Sequence, residues 1–159
     1  MSIESHILKV LRHEPETGFL FWTDEAYPPS RGKQAGTKTK QGYFLVETKR
    51  KRFYAHRIVW LLAYGKFPDG DIDHINGDPA DNRLDNLRDV SCTVNMQNQR
   101  RAQSHSSTGF LGVSRNGSGW QAQIRICGKK RHLGTFSTPQ QAHEAYVLAK
   151  RQHHEGCTI

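Results

Sequence analysis

Between Ile72 and Arg101 the sequence spells out strand, turn, strand and helix in quick succession. Ile72-Asp73-His74 reads as a short strand and Asn76-Gly77-Asp78-Pro79 as a strong turn. Leu87 to Val90 reads as a second short strand, and Ser91 can cap a helix from about Cys92 to Arg101. Four elements in so few residues leave room only for a compact ββα unit. Whatever else the chain forms must be arranged around it.

Upstream, Ile3, Ile7, Leu8 and Leu11 recur at helical spacing, so residues 1–14 predict a short leading helix. Phe19-Leu20-Phe21-Trp22 and Tyr43-Phe44-Leu45-Val46 predict strands, with Tyr27 to Gln41, rich in Gly, Pro, Lys and Ser, as a loop. Lys49-Arg50-Lys51-Arg52 predicts a charged hairpin tip. Ala55 to Tyr64 is apolar enough for a buried helix stopped by Gly65. Downstream, residues 102–108 read as a linker. Strands are then expected over Gly112–Arg115, Trp120–Ile126 and about Lys130–Phe136, with Asn116-Gly117 as a turn. Thr138-Pro139 followed by Gln141 predicts a helix start with a capping box, and Ala142, Ala145 and Ala149 form a small-residue stripe facing the sheet. The fold expected is α+β: an N-terminal region of small strands and helices leading into the ββα module, then a three-stranded antiparallel sheet with one helix. The domains expected are 1–101, with the ββα core at about 70–101, and 109–159.

Charge is distributed in blocks. Residues 1–66 carry 12 Lys/Arg against 6 Asp/Glu, residues 67–99 carry 2 against 7, and residues 100–159 carry 9 against 2. Basic flanks attract a polyanion by phosphate neutralisation and counterion release. An acidic island facing that polyanion repels it unless a cation sits between them. No run of 18 apolar residues and no signal-peptide pattern occurs, which predicts neither export nor membrane insertion. Three widely spaced cysteines, Cys92, Cys127 and Cys157, with no C-x-x-C pair, argue against a zinc ribbon or a disulfide framework and for a reduced cytosolic compartment.

The ββα segment carries the parts of a phosphodiesterase. Asp73 offers an anionic oxygen to a hard cation, Asn95 an amide oxygen from the following helix, and His74 an imidazole that can take a proton from water near neutral pH. In a regular strand Asp73 and His74 point to opposite faces, so a shared site requires the strand to end or twist there. Asn76, Asp78, Asp81 and Asn82 read as turn and loop formers. His56 reads either as a DNA contact or as a polar core residue, the latter favoured, and Arg88 either as a phosphate contact or as a solvated side chain.

Asp73-His74-Ile75-Asn76-Gly77-Asp78, Asp81-Asn82 with Asn86-Leu87-Arg88, and Asn95 resemble phage and homing-type HNH endonucleases. The resemblance extends upstream through Glu14-Pro15-Glu16-Thr17-Gly18, Gly42-Tyr43 and Ala55-His56-Arg57-Ile58-Val59-Trp60, covering roughly residues 10–99. It implies Asp73 and Asn95 as ligands of one divalent cation, Mg²⁺ or Mn²⁺, His74 as general base, and Asn86 as the residue that orders the loop and orients His74. Asn95 stands where many members carry His. Residues 108–156, with Trp120-x-Ala122-x-Ile124-Arg125, Leu133-Gly134-Thr135-Phe136 and Ala142-x-x-Ala145-Tyr146, resemble an AP2 domain, which lays an exposed sheet face in the DNA major groove. Strand alternation selects Gln123 and Arg125 for that face, with Arg115, Lys130 and His132 expected beside them. Lys130 and His132 stand where plant members typically carry Arg and Trp, so their base specificity does not carry over.

The function expected is a metal-dependent, site-preferring DNA endonuclease of homing type, acting on double-stranded DNA in a bacterial cytoplasm as a monomer or weak dimer. The alternatives are a DNA-binding regulator with an inactive nuclease module, and a structure-specific or RNA nuclease.

Overall fold

The computed structural model describes residues 2–102 and 106–159. Of the expected linker, residues 103–105 lie outside the described residues. The chain divides into two compact units, Met1–Cys92 and Thr93–Ile159. These units divide at the start of the helix that follows the second strand of the ββα segment, whereas the sequence pattern ends its first domain at Arg101.

The first unit begins with α1 (Ile3–Val10), capped by Ser2, whose hydroxyl accepts from the Ser5 N–H at 3.1 Å. The helix stops before the expected Glu14 because Leu11 turns extended and pairs with Trp22. This makes β1 (Leu11–His13) the edge of a sheet with β2 (Leu20–Trp22) and β3 (Gln34–Ala35). The segment expected to be loop over 27–41 thus contains β3 and the equally short β4 (Thr37–Lys38), separated by Gly36. β4, β5 (Phe44–Thr48) and β6 (Lys51–Tyr54) form a second sheet. α2 (Ala55–Tyr64) follows directly. It ends at Gly65, whose φ of 74° suits glycine and whose N–H caps Leu61 O at 2.8 Å.

The core is built from Ile7, Val10, Leu11, Leu20, Val46, Ile58, Val59 and Leu61, joined by Ile72 and Leu87 of the ribbon that follows. Ile7, Ile58 and Leu61 are wholly buried, each contributing about 1.5–3 kcal/mol by removal from water. Against this core lies an antiparallel ribbon of β7 (Asp71–His74) and β8 (Leu87–Val90), as the sequence pattern predicts. Its entry is fixed from two sides. Asp89 accepts from the backbone N–H groups of Asp69 and Gly70 at 2.9 and 2.8 Å, and Arg57 of α2 donates to the carbonyls of Gly70 and Pro68 at 3.1 and 3.3 Å.

The second unit opens with α3 (Cys92–Gln97), shorter than the expected 92–101. Residues at and beyond its end are held by distant partners: Gln97 Oε1 accepts from Gly156 N at 3.0 Å, Lys150 Nζ donates to Gln99 O, and Arg100 Nη2 donates to Thr158 O at 2.9 Å. β9 (Val113–Asn116), β10 (Gly119–Ile126) and β11 (Lys129–Phe136) form an antiparallel sheet in the order β11-β10-β9, backed by α4 (Pro139–His153). Thr138 caps α4 by accepting from Gln141 N at 3.3 Å, whereas the Gln141 side chain accepts from Ser137 Oγ at 2.9 Å instead of closing the expected box. The Ala stripe packs as expected, with Ala142 wholly buried against Val113 and Ala122. The pairing slips between Ala122↔Gly134 and Gln123↔His132, leaving Leu133 as a bulge residue. The α+β architecture is as expected.

Candidate active site

Of the residues singled out in the acidic island, His74, Asn76, Asp78, Asp81, Asn82 and Asn86 lie at or in the loop between β7 and β8, and Asn86 holds that loop closed. Its Oδ1 accepts from Asn76 N at 2.9 Å, its Nδ2 donates to Asp81 O at 2.8 Å, and its own carbonyl accepts from Ile75 N at 2.9 Å. Asn76 Nδ2 donates to Asp81 Oδ2 at 2.8 Å, and Gly77, at φ 74°, turns the chain back so that its N–H reaches His74 O at 2.8 Å. Arg83 grips both oxygens of Asp81 at 2.9 and 2.8 Å and, chiefly by that hydrogen bonding, pulls the Asp81 carboxyl down to about 2. Gly18 packs so closely beneath the loop that a side chain there would meet Arg83 N at 2.6 Å and the Asn82 carbonyl carbon at 2.7 Å. The Glu14–Gly18 turn thus buttresses the loop by direct backbone contact.

His74 is 6% exposed, and Asn82 at 1% is buried beside it, with Asn82 Oδ1 at 3.2 Å from His74 Nε2. Asn82 Nδ2 donates to Ala80 O at 3.4 Å, which fixes the amide orientation. Because Oδ1 can only accept, this contact favours the tautomer with the ring proton on Nε2. Asn86 thus bonds across the loop, while Asn82 is the side chain that touches His74. Burial pushes the His74 imidazole below the ordinary histidine value, opposed by the Asn82 hydrogen bond and by the carboxylates of Asp73, Asp78 and Asp81.

Aromatic rings wall the imidazole. The His56 ring meets His74 edge-on at 5.1 Å, Tyr43 lies 6.0 Å away, and Tyr54 stacks on His56 at 5.3 Å with an interplanar angle of 10°. Burial, with lesser contributions from the neighbouring His74 and Arg57, pushes His56 to about 3, so it is neutral throughout the physiological range. That matches the polar-core role favoured for it.

Asp73 sits opposite Arg88 in the ribbon, and His74 opposite Leu87, so Asp73 and His74 face opposite sides of the ladder. The ribbon ends at His74. Arg88 Nε and Nη2 both donate to Asp73 Oδ2, at 2.8 and 2.7 Å, and the Asp73 side chain is 5% exposed. Arg88, expected as a DNA contact or a solvated residue, is instead bound to the candidate metal ligand. Asn95, the other expected ligand, lies on α3 and is half-buried within the second unit. Among the described residues, no three His, Cys, Asp or Glu side chains cluster as a metal site. The expected donors are one carboxylate and one amide, a sparse set that suits a hard cation retaining most of its water.

In the second unit the register defines one polar sheet face. Gln121, Gln123 and Arg125 of β10 pair with Thr135, His132 and Lys130 of β11, and Gln121 also pairs with Ser114 of β9. These side chains therefore share a face, and Arg125, Lys130 and His132 are exposed. Arg115 departs from expectation. It pairs with Trp120 on the opposite, helix-covered side, its guanidinium 5.3 Å from the Trp120 ring centre. Any two-residue loop at Asn116-Gly117 gives this parity, so strand counting alone could have excluded Arg115 from the polar face.

The HNH endonuclease profile matches residues 53–97, from the end of β6 through α3. The chain is also similar to Protein 3.8 of Escherichia phage T7, at 35% identity over 90 residues that span 52% of this chain and 74% of that protein. No solved structure matches it. The ordered β7–β8 loop and its buried histidine fall inside the matched segment: the chain carries an HNH endonuclease domain over residues 53–97, which implies a nucleic-acid substrate, and it belongs to one family with Protein 3.8.

Proposed function

We propose that this chain is a metal-dependent endonuclease that hydrolyses phosphodiester bonds in double-stranded DNA, with His74 as general base. The observation that carries this reading is the imidazole itself. It is buried, held below the ordinary histidine value by that burial, and oriented through Nε2 by an amide oxygen, the setting a general base near neutral pH requires. The motif resemblance assigns Asp73 and Asn95 as the residues that would hold one Mg²⁺ or Mn²⁺ ion, and Asp73 would bring the carboxylate oxygen. When bound, such an ion neutralises charge on the scissile phosphate and on the departing 3′ oxygen. His74 removes a proton from the attacking water, Asn82 holds the ring in one tautomer, and Asn86 keeps the loop that carries Asn82 from opening.

The second unit is read as an AP2-like module whose polar face, Gln123, Arg125, Lys130 and His132, lies against DNA. Gln and Arg suit bidentate base contacts and Lys suits phosphate. The net charge of +8 supports a polyanionic partner. With one such active segment per chain, a monomer nicks one strand, and double-strand cleavage takes two protomers or two successive events. The phage similarity fits an enzyme working in a bacterial cytoplasm, and the homing-type reading rests on the motif resemblance.

Plasmid nicking with Mg²⁺, with and without EDTA, tests the assignment: wild type nicks, EDTA stops it, and His74→Ala abolishes it. Equal nicking by wild type and variant would remove His74 from the mechanism. An inactive wild type that still binds DNA would favour a regulator, and preferential cleavage of single strands or RNA at fixed salt would favour a different nuclease class.

A further inference from the structure

The hairpin between β5 and β6 is closed by a two-residue loop, since Thr48 pairs with Lys51. Its two central residues are Lys49 and Arg50, with φ values of 45° and 59°. Two successive left-handed residues define the turn type that best matches strand twist, and Asn-Gly is the pair that forms it with least strain. Here both positions carry long cationic side chains, both exposed, and Lys51 and Arg52 follow immediately. Backbone strain at an exposed, four-cation tip is a departure from the locally most stable sequence, and such departures concentrate where a segment makes contacts.

The tip is firmly mounted. Val46 is wholly buried in the core, and Thr48 is 8% exposed with its hydroxyl 3.0 Å from His6 Nε2 of α1. The other end of the hairpin reaches the candidate active site, where Tyr54, the last residue of β6, stacks on His56, which in turn meets His74. Four residues of extended chain separate Tyr54 from Arg50, which is about 13 Å. That span corresponds to roughly four base-pair steps of a duplex.

Resting on the DNA-endonuclease reading above, we infer that the β5–β6 hairpin is a DNA clamp whose strained Lys49-Arg50 tip, with Lys51 and Arg52, binds backbone phosphates to one side of the bond to be cut. Arg52 is shared with Glu47, its Nε donating at 3.0 Å, so the tip residues carry the larger part of the contact.

The test is the double variant Lys49→Asn/Arg50→Gly in the full-length protein, which replaces the strained pair with the one the turn prefers. The melting temperature should rise. Affinity for a 30-base-pair mixed-sequence duplex should fall about tenfold, and the slope of log affinity against log salt should fall by about 2, for two phosphates no longer neutralised. A charge-matched control, Lys9→Gln/Lys66→Gln, should leave affinity within about twofold. A raised melting temperature with unchanged affinity and salt slope overturns the clamp. So does a control that weakens binding as much as the tip variant, because net charge would then account for the effect. A wild type that fails to bind the duplex at all is a different result, since it removes the DNA-endonuclease reading on which the clamp rests.

Discussion

Arg88 holds Asp73 through one oxygen: Nε and Nη2 both donate to Oδ2, 2.8 and 2.7 Å away, across a directly opposed pair of the β7–β8 ribbon. The guanidinium therefore supplies positive charge where the proposed cation would also sit. The two cations repel, and the protein's own arginine competes for the carboxylate. Arg88→Gln should tighten Mn²⁺ binding by about tenfold in isothermal titration while lowering stability by about 1–3 kcal/mol, because a buried carboxylate loses a charged donor. If the affinity for Mn²⁺ does not change, Asp73 is not a ligand.

Asn82 bears on His74 by geometry alone. Asn82→Ala removes the acceptor that selects the Nε2–H tautomer, which should lower kcat at least tenfold with little change in KM, since the ground-state complex is untouched. Steady-state nicking kinetics would show the split. A raised KM at constant kcat would mean that Asn82 serves binding rather than orientation of the base.

The outline of this site was legible in the sequence, and its internal wiring was not. The bounds of α2 and β8 followed from an apolar run stopped by glycine and from a short strand between turn signals. The loop-ordering role of Asn86 came with the family resemblance. Which amide touches His74 could not be read, because Asn76, Asn82 and Asn86 offer identical donors and acceptors within one loop. Only the folded path, pressed from below by Gly18, selects Asn82. The same holds for Arg88: its pairing with Asp73 depends on ribbon register, which exists only once both strands are aligned. The early end of α3 was invisible for a similar reason, since Gln97, Gln99 and Arg100 are bonded by residues some fifty to sixty positions later.

Histidine burial makes the fold acid-sensitive. His6, His13, His56 and His74 all bind protons less readily when folded, principally through burial, and His56 is displaced furthest, to about 3. Each folded-state value lies below the unfolded one, so the unfolded chain takes up more protons as pH falls below about 6.5. Stability is then full above about 6.5 and lost on acidification, for His56 across the window from about 6.5 down to about 3 at up to about 1.4 kcal/mol per pH unit. Urea unfolding at pH 7, 6 and 5 should show this fall, and His56→Phe should flatten it by roughly one group's share. An unchanged slope in the variant would mean that His56 keeps its proton affinity in the folded state. Because burial holds the His74 imidazole below its ordinary value, the acidic limb of the cleavage profile, where that base takes up its proton, should fall below pH 6.5.

The two sides of the second unit's sheet make opposite predictions for two arginines. Arg125 pairs with Lys130 on the exposed polar face, whereas Arg115 pairs with Trp120 on the helix-covered side, over its ring. If that polar face meets DNA, Gln123→Ala/Arg125→Ala should weaken binding to a preferred site by about 1–3 kcal/mol for each base no longer read and narrow the gap between preferred and random duplexes. Arg115→Ala should change DNA binding little and instead cost about 0.5–1 kcal/mol of stability, the value of an exposed cation–π interaction. Gel-shift titrations on both duplexes, paired with thermal melts, separate the outcomes. A loss of affinity for Arg115→Ala equal to that of the polar-face variant would place the DNA on the other side of the sheet from Gln123 and Arg125.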